Sequence, residues 1–378
     1  MRRLLGVIQP YAWGSRSTIA TIQGRPAPAE APEAELWFGA HPAAPSTVDS
    51  VSLRELVSAD AVGVLGAAVA AEFGTRLPFL LKVLAAEEPL SIQAHPDAAQ
   101  ARAGYAAGDP NYVDPYHKPE LLVAVETFEA LCGFREPSAT AARLAELDVP
   151  ALAPVVGELA RPGEAGSRLR AAVHTVLDWP AASRADLVAA VAAADPLAGR
   201  LAAGYPGDLG VVVALLLNHV TLVPGEAVWM PAGNLHAYLR GTGIEIMAAS
   251  DNVLRGGLTP KRVDVPELLR VLRFEVLDEP VVHAVPVSPG VVTWPVPVPD
   301  FALYRVSLEA GAPEVELEAP GPRIVLCLRG SATVDGLPLG PGEAAFGPST
   351  VTPVTLSGLA ELYVATTGRP SRVARTFP

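Results

Sequence analysis

Two imidazoles, a carboxylate and a side-chain amide stand out as groups that could hold a metal ion. They are His95 and Gln93 in SIQAHPD, Glu120 in YHKPELLVAV, and His236 in PGEAVWMPAGNLHAYL. Imidazole and carboxylate donors suit zinc, and an amide oxygen can complete a shell around a hard or borderline cation. Leu90 to His95 alternates in character, so Ser91, Gln93 and His95 leave one face of a strand while Ile92 and Ala94 leave the other. Glu120 opens an apolar strand, with His117 and Lys118 crowded just before it. His236 ends the pattern Gly-x5-Pro-x-Gly-x2-His that starts at Gly225. Gly and Pro set a bend that neither flanking strand makes alone. That stretch by itself reads equally as a metal-bearing hinge or as an ordinary hairpin with a surface histidine.

A second group of polar residues follows. Glu245, Asp251, Asn252, Arg255, Lys261 and Arg262 fall within one short span, denser than a solvated face requires. The chain also uses lysine sparingly: of 28 basic residues only Lys82, Lys118 and Lys261 are lysines. Lysine offers a compact, rotatable charge whose pKa shifts on burial, which suits contact with an anion or a proton transfer.

The elements that must position these groups are mostly strands. Pro78 to Leu84 is an apolar run broken only by Lys82, consistent with a buried strand. Ser52 to Phe73 reads as a helix, and Gly104 to Pro115 as a polar loop. From Pro137 to about Ala203 the chain is Ala-rich with helical spacing at Leu144, Leu147, Leu169, Val173, Val176, Leu187, Val188 and Val191. Strands resume at Gly210, with Val211 to Leu217 read as the first, and a short helix covers Leu268 to Leu272. Tyr11, Trp13, Trp37 and Phe38 are assigned to the core, His41 to a turn, His174 to packing, and His219 to a solvent or structural role. A faint repeat links Pro-Gly-Glu-Ala at 224–227 to the same four residues at 341–344. Pro353 occupies the place of His236 in the second copy. The copy therefore predicts a second barrel without a metal site.

With 378 residues, 50% of them apolar, the chain is long enough for two or three compact units. A net charge of −12 argues against a nucleic-acid partner, which needs a broad basic face. Cys132 and Cys327 stand far apart, and no Cys-x-x-Cys pair exists, so both are expected reduced. The apolar run at the N-terminus is too short for a signal peptide, and no stretch reaches membrane-spanning length. The expectation is a soluble cytoplasmic protein with no membrane partner.

SIQAHPD, YHKPELLVAV, PGEAVWMPAGNLHAYL and MAASDNVLRGGLTPK, with YAWGS and ELWFGAHP before them, closely resemble the type I phosphomannose isomerases. The likeness runs from about residue 5 to residue 272; beyond that only the architecture matches. It implies a mainly β fold with an α-helical insertion. A cupin (jelly-roll) catalytic barrel would occupy residues 1–136 and 204–265, a helical domain 137–203, and a second, degenerate cupin barrel 266–378. The helical stretch is short and Ala-rich beside the larger family members. The resemblance implies one zinc ion per chain on Gln93, His95, Glu120 and His236, with Arg255 as the catalytic arginine. The implied activity interconverts mannose 6-phosphate and fructose 6-phosphate through an enediol, feeding GDP-mannose metabolism. Glu245, Asp251, Lys118 and Lys261 are candidates to carry the proton, and His117 to help open the ring. Ser91, Lys82 and Lys261 are the expected phosphate contacts. The expected partner is a small sugar phosphate, and the expected state is a monomer or weak homo-oligomer.

Overall fold

The computed structural model describes residues 1–368. It consists of two eleven-stranded sheets and a helical insertion. In the first sheet the main path of strands runs 281–282, 227–230, 120–124, 236–248, 79–86, 35–39 and 7–9. The strand His236–Ala248 holds the site together, because it pairs with four others. Its far half pairs Glu245 with Lys82 and Met247 with Glu120. Its near end sets His236 opposite both Gln93 and Cys132. A register shift between Tyr238 and Arg240, next to Gly241 at φ 129°, lets one strand serve both halves. A Cβ on Gly241 would come within 2.6 Å of the Thr127 carbonyl oxygen, so only glycine fits there.

The second sheet is built on the long strands Arg323–Val334 and Val354–Thr366. The repeated Pro-Gly-Glu-Ala makes the same turn in each sheet. Gly225 N donates to Ala124 O and Ala124 N to Glu226 O, both at 2.9 Å; Gly342 and Cys327 do the same at 2.8 Å, and Cys327 and Glu343 at 2.9 Å. In both copies the glutamate carboxylate accepts from the backbone three residues earlier, at Val223 and Gly340. Four residues before Ala124 lies Glu120, and four before Cys327 lies Arg323, facing Met230 and Gly347 respectively. A fully buried arginine therefore stands where the first sheet has its carboxylate, and Pro353 precedes the strand that His236 opens in the other copy.

The two sheets interlace. Strands Arg2–Leu5, Thr47–Val48 and Val51–Ser52 lie in the sequence range read as the first barrel but join the second sheet. Val281–Val282 lies in the range of the second and pairs with Ala227–Val228 of the first. Leu4, Phe38, Leu81, Ile244, Trp294, Phe346 and Tyr363 share one buried core between the sheets.

The insertion forms helices Pro137–Glu146, Ala153–Ala160, Ala165–Leu177, Arg184–Ala194 and Pro196–Gly204 around buried Leu144, Leu169, Val173, Val176, Leu187, Val188 and Val191. The expected strand at Val211 is a correction: Gly210–Ala214 is a helix, and the strand begins at Leu217. A run that is apolar all round carries no period to separate the two states, and burial on every side allows the helix. The expected helix over 52–73 is three short ones, broken at Asp60 and at Gly66, whose φ is 88°. Part of the expected loop is helical, Ala98–Ala106, with Asp97 and Gln100 forming a capping box. Both cysteines are free and buried. Among the described residues no helix is long and apolar enough to cross a membrane.

Glu129 ties the insertion to the sheet. It binds Arg200 of Pro196–Gly204 and His219, which lies within the strand Leu217–Leu222 rather than after it. The His219 hydrogen bond, aided by Arg200 against partial burial, holds the Glu129 carboxyl down to about 2 from 4.5. A depressed carboxyl contributes stability above its unfolded pKa and loses it as pH falls through the folded one. The melting-temperature difference between the native protein and Glu129→Gln should therefore be full above about pH 4.5 and vanish towards pH 2. A pH-independent difference contradicts this.

Candidate metal centre and active site

Glu120 opens the strand Glu120–Ala124, where residues alternate between the two sides of the sheet. Its carboxylate is only 1% exposed. His95 Nε2 lies 3.3 Å from Glu120 Oε2 and His236 Nε2 lies 3.1 Å from the same oxygen. Backbone carbonyls hold the other nitrogens: His95 Nδ1 is 2.7 Å from Asn252 O, and His236 Nδ1 is 3.1 Å from Asn234 O. Those bonds put the ring hydrogens on Nδ1 and leave both Nε2 lone pairs facing Glu120. His95 Nε2 is buried without a hydrogen bond of its own. Burial pushes the His95 pKa down to about 4, so the ring is neutral at neutral pH. Burial works against ionised Glu120, but the Lys118 ammonium beside it holds it well below the usual carboxylate range. One ligand atom from each of these three residues lies within 4.8 Å of the others. Two imidazoles and an ionised carboxylate, buried and with one ligand atom idle, fit a divalent transition metal.

The hinge and Asn252 explain why the sequence folds this way. Gly233, at φ 80°, donates its N–H to His95 O at 2.8 Å, joining the turn before His236 to the strand end carrying His95. Asn252 is fully buried. Its side chain accepts from Val113 N and donates to the carbonyls of Asp114 and Tyr116, each at 2.8 Å. It thus fixes the carbonyl on which His95 rests.

Beside this centre opens a cavity of about 400 Å³. Its lining includes Gln93, Glu120, Glu245, Asp251, Arg255 and Ser91, and all three lysines of the chain. Gln93 sits in register with both His236 and Arg255. The walls carry four cations, Lys82, Lys118, Arg255 and Lys261, against four carboxylates, Glu35, Glu120, Glu245 and Asp251. They are unevenly paired. Lys118 Nζ lies 3.0 Å from Glu120 Oε1. Lys82 Nζ lies 2.9 Å from Glu245 and 3.6 Å from Glu35. Trp37 Nε1 donates to Glu35, and Tyr238 Oη donates to Glu245 at 2.8 Å. Burial would lower the Lys82 pKa, but Glu245 and Glu35 raise it above its ordinary value. Arg255, half-buried, and Lys261, exposed, make no ion pair among the described residues, and the Ser91 hydroxyl makes no hydrogen bond. Part of the lining is thus neutralised in ion pairs, while Arg255, Lys261 and Ser91 remain unpaired donors among the described residues.

Of the residues expected from sequence, His117 alone is not brought to the metal cluster or the cavity wall. It lies before the strand, and its Nε2 is 2.9 Å from Asp300. Lys82, expected on a phosphate, is already held by two carboxylates. Tyr11 and Trp13 line the cavity, Trp37 is buried in the core and also borders the cavity, and Phe38 is core. Glu35, Tyr238 and Tyr205 went unnoticed. Glu35 shares a strand face with Trp37, a signal that alternation in ELWFG carries. Tyr205 comes from the end of the insertion, where its hydroxyl donates to Pro89 O at 2.9 Å.

Removing one partner of a buried ion pair leaves a costly charge behind. Lys82→Met should lower unfolding free energy by about 3–5 kcal/mol in denaturant titration. Lys261→Ala, at an exposed position, should leave it unchanged. Equal stability of the native protein and Lys82→Met contradicts the account of the network.

The family model for the phosphomannose isomerase type I catalytic domain matches residues 1–137. The mannose-6-phosphate isomerase of Escherichia coli (strain K12) is 38% identical over 394 residues, covering 96% of this chain and 99% of that protein. A variant phosphomannose isomerase from Salmonella typhimurium has a TM-score of 0.88 at 36% identity, covering 98% of this chain and all of that one. A mannose 6-phosphate isomerase bound with zinc and yttrium has a TM-score of 0.86 at 37% identity over 98% of this chain and 100% of that one. Likeness of this extent, over the sheets, the insertion and the site alike, shows that the chain belongs to the type I phosphomannose isomerase family.

Proposed function

We propose that this protein interconverts mannose 6-phosphate and fructose 6-phosphate. The observation that carries the reading is one cavity that joins a buried imidazole–carboxylate centre to the unpaired donors Arg255, Lys261 and Ser91. A sugar phosphate has matching ends, hydroxyl and carbonyl oxygens at one and a dianion at the other. We read the two sheets as two cupin barrels, of which the first carries the site. We assign a zinc ion to Gln93, His95, Glu120 and His236, where it would supply Lewis acidity towards the sugar oxygens.

The remaining chemistry falls to side chains. As the open-chain aldose reacts, a proton leaves C2, the C1–C2 double bond forms and charge collects on O1. The O2 proton passes to O1, and the carbon-bound proton returns at C1 as C2=O2 forms. Arg255 carries permanent charge in a planar fork, which suits the developing enediolate. Ser91 and Lys261 are assigned to the phosphate. Lys82 and Glu245 hold each other, so they shape the wall. Asp251, with one carboxylate oxygen unpartnered among the described residues, is assigned to proton transfer, and Lys118, on the cavity wall beside Glu120, is the second candidate. Burial raises the Asp251 pKa, but His41, Lys118 and Lys82 pull it below its ordinary value, so it is ionised and able to accept a proton from a sugar hydroxyl.

A coupled assay on mannose 6-phosphate in deuterated water tests this reading. Turnover with label on sugar carbon is expected; no turnover contradicts the assignment, and complete absence of label points to hydride transfer. Arg255→Ala should lower kcat by about 100-fold or more with little change in KM. A raised KM with kcat intact would make Arg255 a phosphate clamp.

A further inference from the structure

A second cavity of about 280 Å³ lies against the first, and Asp251 borders both. The far cavity is lined by His41, Asp114 and Tyr116 and by two arginines, Arg54 and Arg76, the latter stacked 3.7 Å over the Tyr116 ring. An ionised carboxylate on the shared wall has cations on either side: Lys118 and Lys82 in the sugar cavity, Arg54 and Arg76 beyond.

The backbone around Asp251 is clamped. Its N–H donates to Asp114 Oδ2 at 2.9 Å, and Ser250 and Asn252 on either side bind Asp114 too. The side chain is 51% exposed and makes one contact, to His41 Nε2 at 3.2 Å through Oδ1. Oδ2 has no partner among the described residues. His41 itself is 2% exposed, and its ring meets Trp37 edge-on at 4.9 Å between centroids. Its Nδ1 accepts the Ala43 N–H at 3.3 Å, so the ring hydrogen sits on Nε2, facing Asp251. A buried, oriented donor aimed at an otherwise unrestrained carboxylate selects one of its staggered rotamers.

We propose that His41 is a positioning residue for Asp251: from the far cavity it ties Oδ1 where the two cavities meet, so that the carboxylate stays on the wall of the sugar cavity with Oδ2 left without a protein partner. The proposal rests on the isomerase reading for its kinetic consequence, but not for its geometry. His41 touches no reacting atom. It acts through the angle of Asp251, and small misplacements of a catalytic group carry large rate penalties.

Three substitutions and one structure test it. His41→Leu removes the donor, and kcat should fall about 10- to 100-fold, with KM and zinc content within about threefold. His41→Gln returns an amide donor near the place of Nε2 and should restore activity to within about fivefold of the native protein. In an Asp251→Asn background, His41→Leu should cost less than about twofold more, because its effect runs through Asp251. A crystal structure of His41→Leu, or of His41→Asn should the leucine variant not fold, should show the carboxylate turned from the sugar cavity. An unmoved carboxylate overturns the proposal. So does native kcat in His41→Leu, a glutamine variant no better than leucine, or a full additive loss in the Asp251→Asn background. If the native protein itself fails to turn over mannose 6-phosphate, the isomerase reading fails, and the crystal structure still decides the role of His41.

Discussion

The charge of Glu120 is the constraint on which the rest depends. A carboxylate 1% exposed cannot stay ionised without compensation. The fold supplies Lys118, two residues before it, and sets two imidazoles from separate strand ends against the same carboxylate, where a cation would complete the compensation. Bringing His95 and His236 to one oxygen requires the long strand His236–Ala248, the bend at Gly241 and the turn at Gly233. The Asn252 side chain then fixes the carbonyl behind His95. Each of these features, explained alone, is a local packing choice. Together they set two imidazole lone pairs and a carboxylate around one point, where a cation would satisfy all three.

The second sheet shows what the scaffold does without that constraint. The same Pro-Gly-Glu-Ala turn recurs with the same backbone bonds. Arg323 replaces Glu120, and its guanidinium binds the Gly321 carbonyl instead of a side-chain cluster. Nothing in the turn demands a metal site, so the turn belongs to the architecture and the ligands to the function. The lysines sharpen the same division. A chain that otherwise uses arginine keeps lysine at three positions, and all three border one cavity.

The site was legible in the sequence where its chemistry sits in contiguous stretches. Gln93 and His95 share an alternating strand, and the glycine–proline spacing before His236 marks a bend whatever the fold. What went unread depends on contacts distant in sequence. Glu35 matters because Lys82 lies across from it, and His41 because Asp251 does; neither pairing has a local signature. His117 looked like part of the cluster because it adjoins Lys118, yet its partner is Asp300, far away in the sequence. The helix at Gly210–Ala214 was hidden because a run buried on every side shows no period. The pairing of Arg2–Leu5 with the second sheet depends on a partner more than three hundred residues away, beyond the reach of any pattern.

On the function proposed above, His95, Glu120 and His236 form a metal centre on which turnover depends. Metal content measured per chain, alongside mannose 6-phosphate turnover before and after chelation, tests it most directly. The account predicts about one zinc ion per chain in the native protein, loss of both metal and turnover on chelation, return of both with added zinc, and no bound zinc in His236→Ala. Full turnover in metal-free protein, or undiminished zinc in His236→Ala, would contradict it.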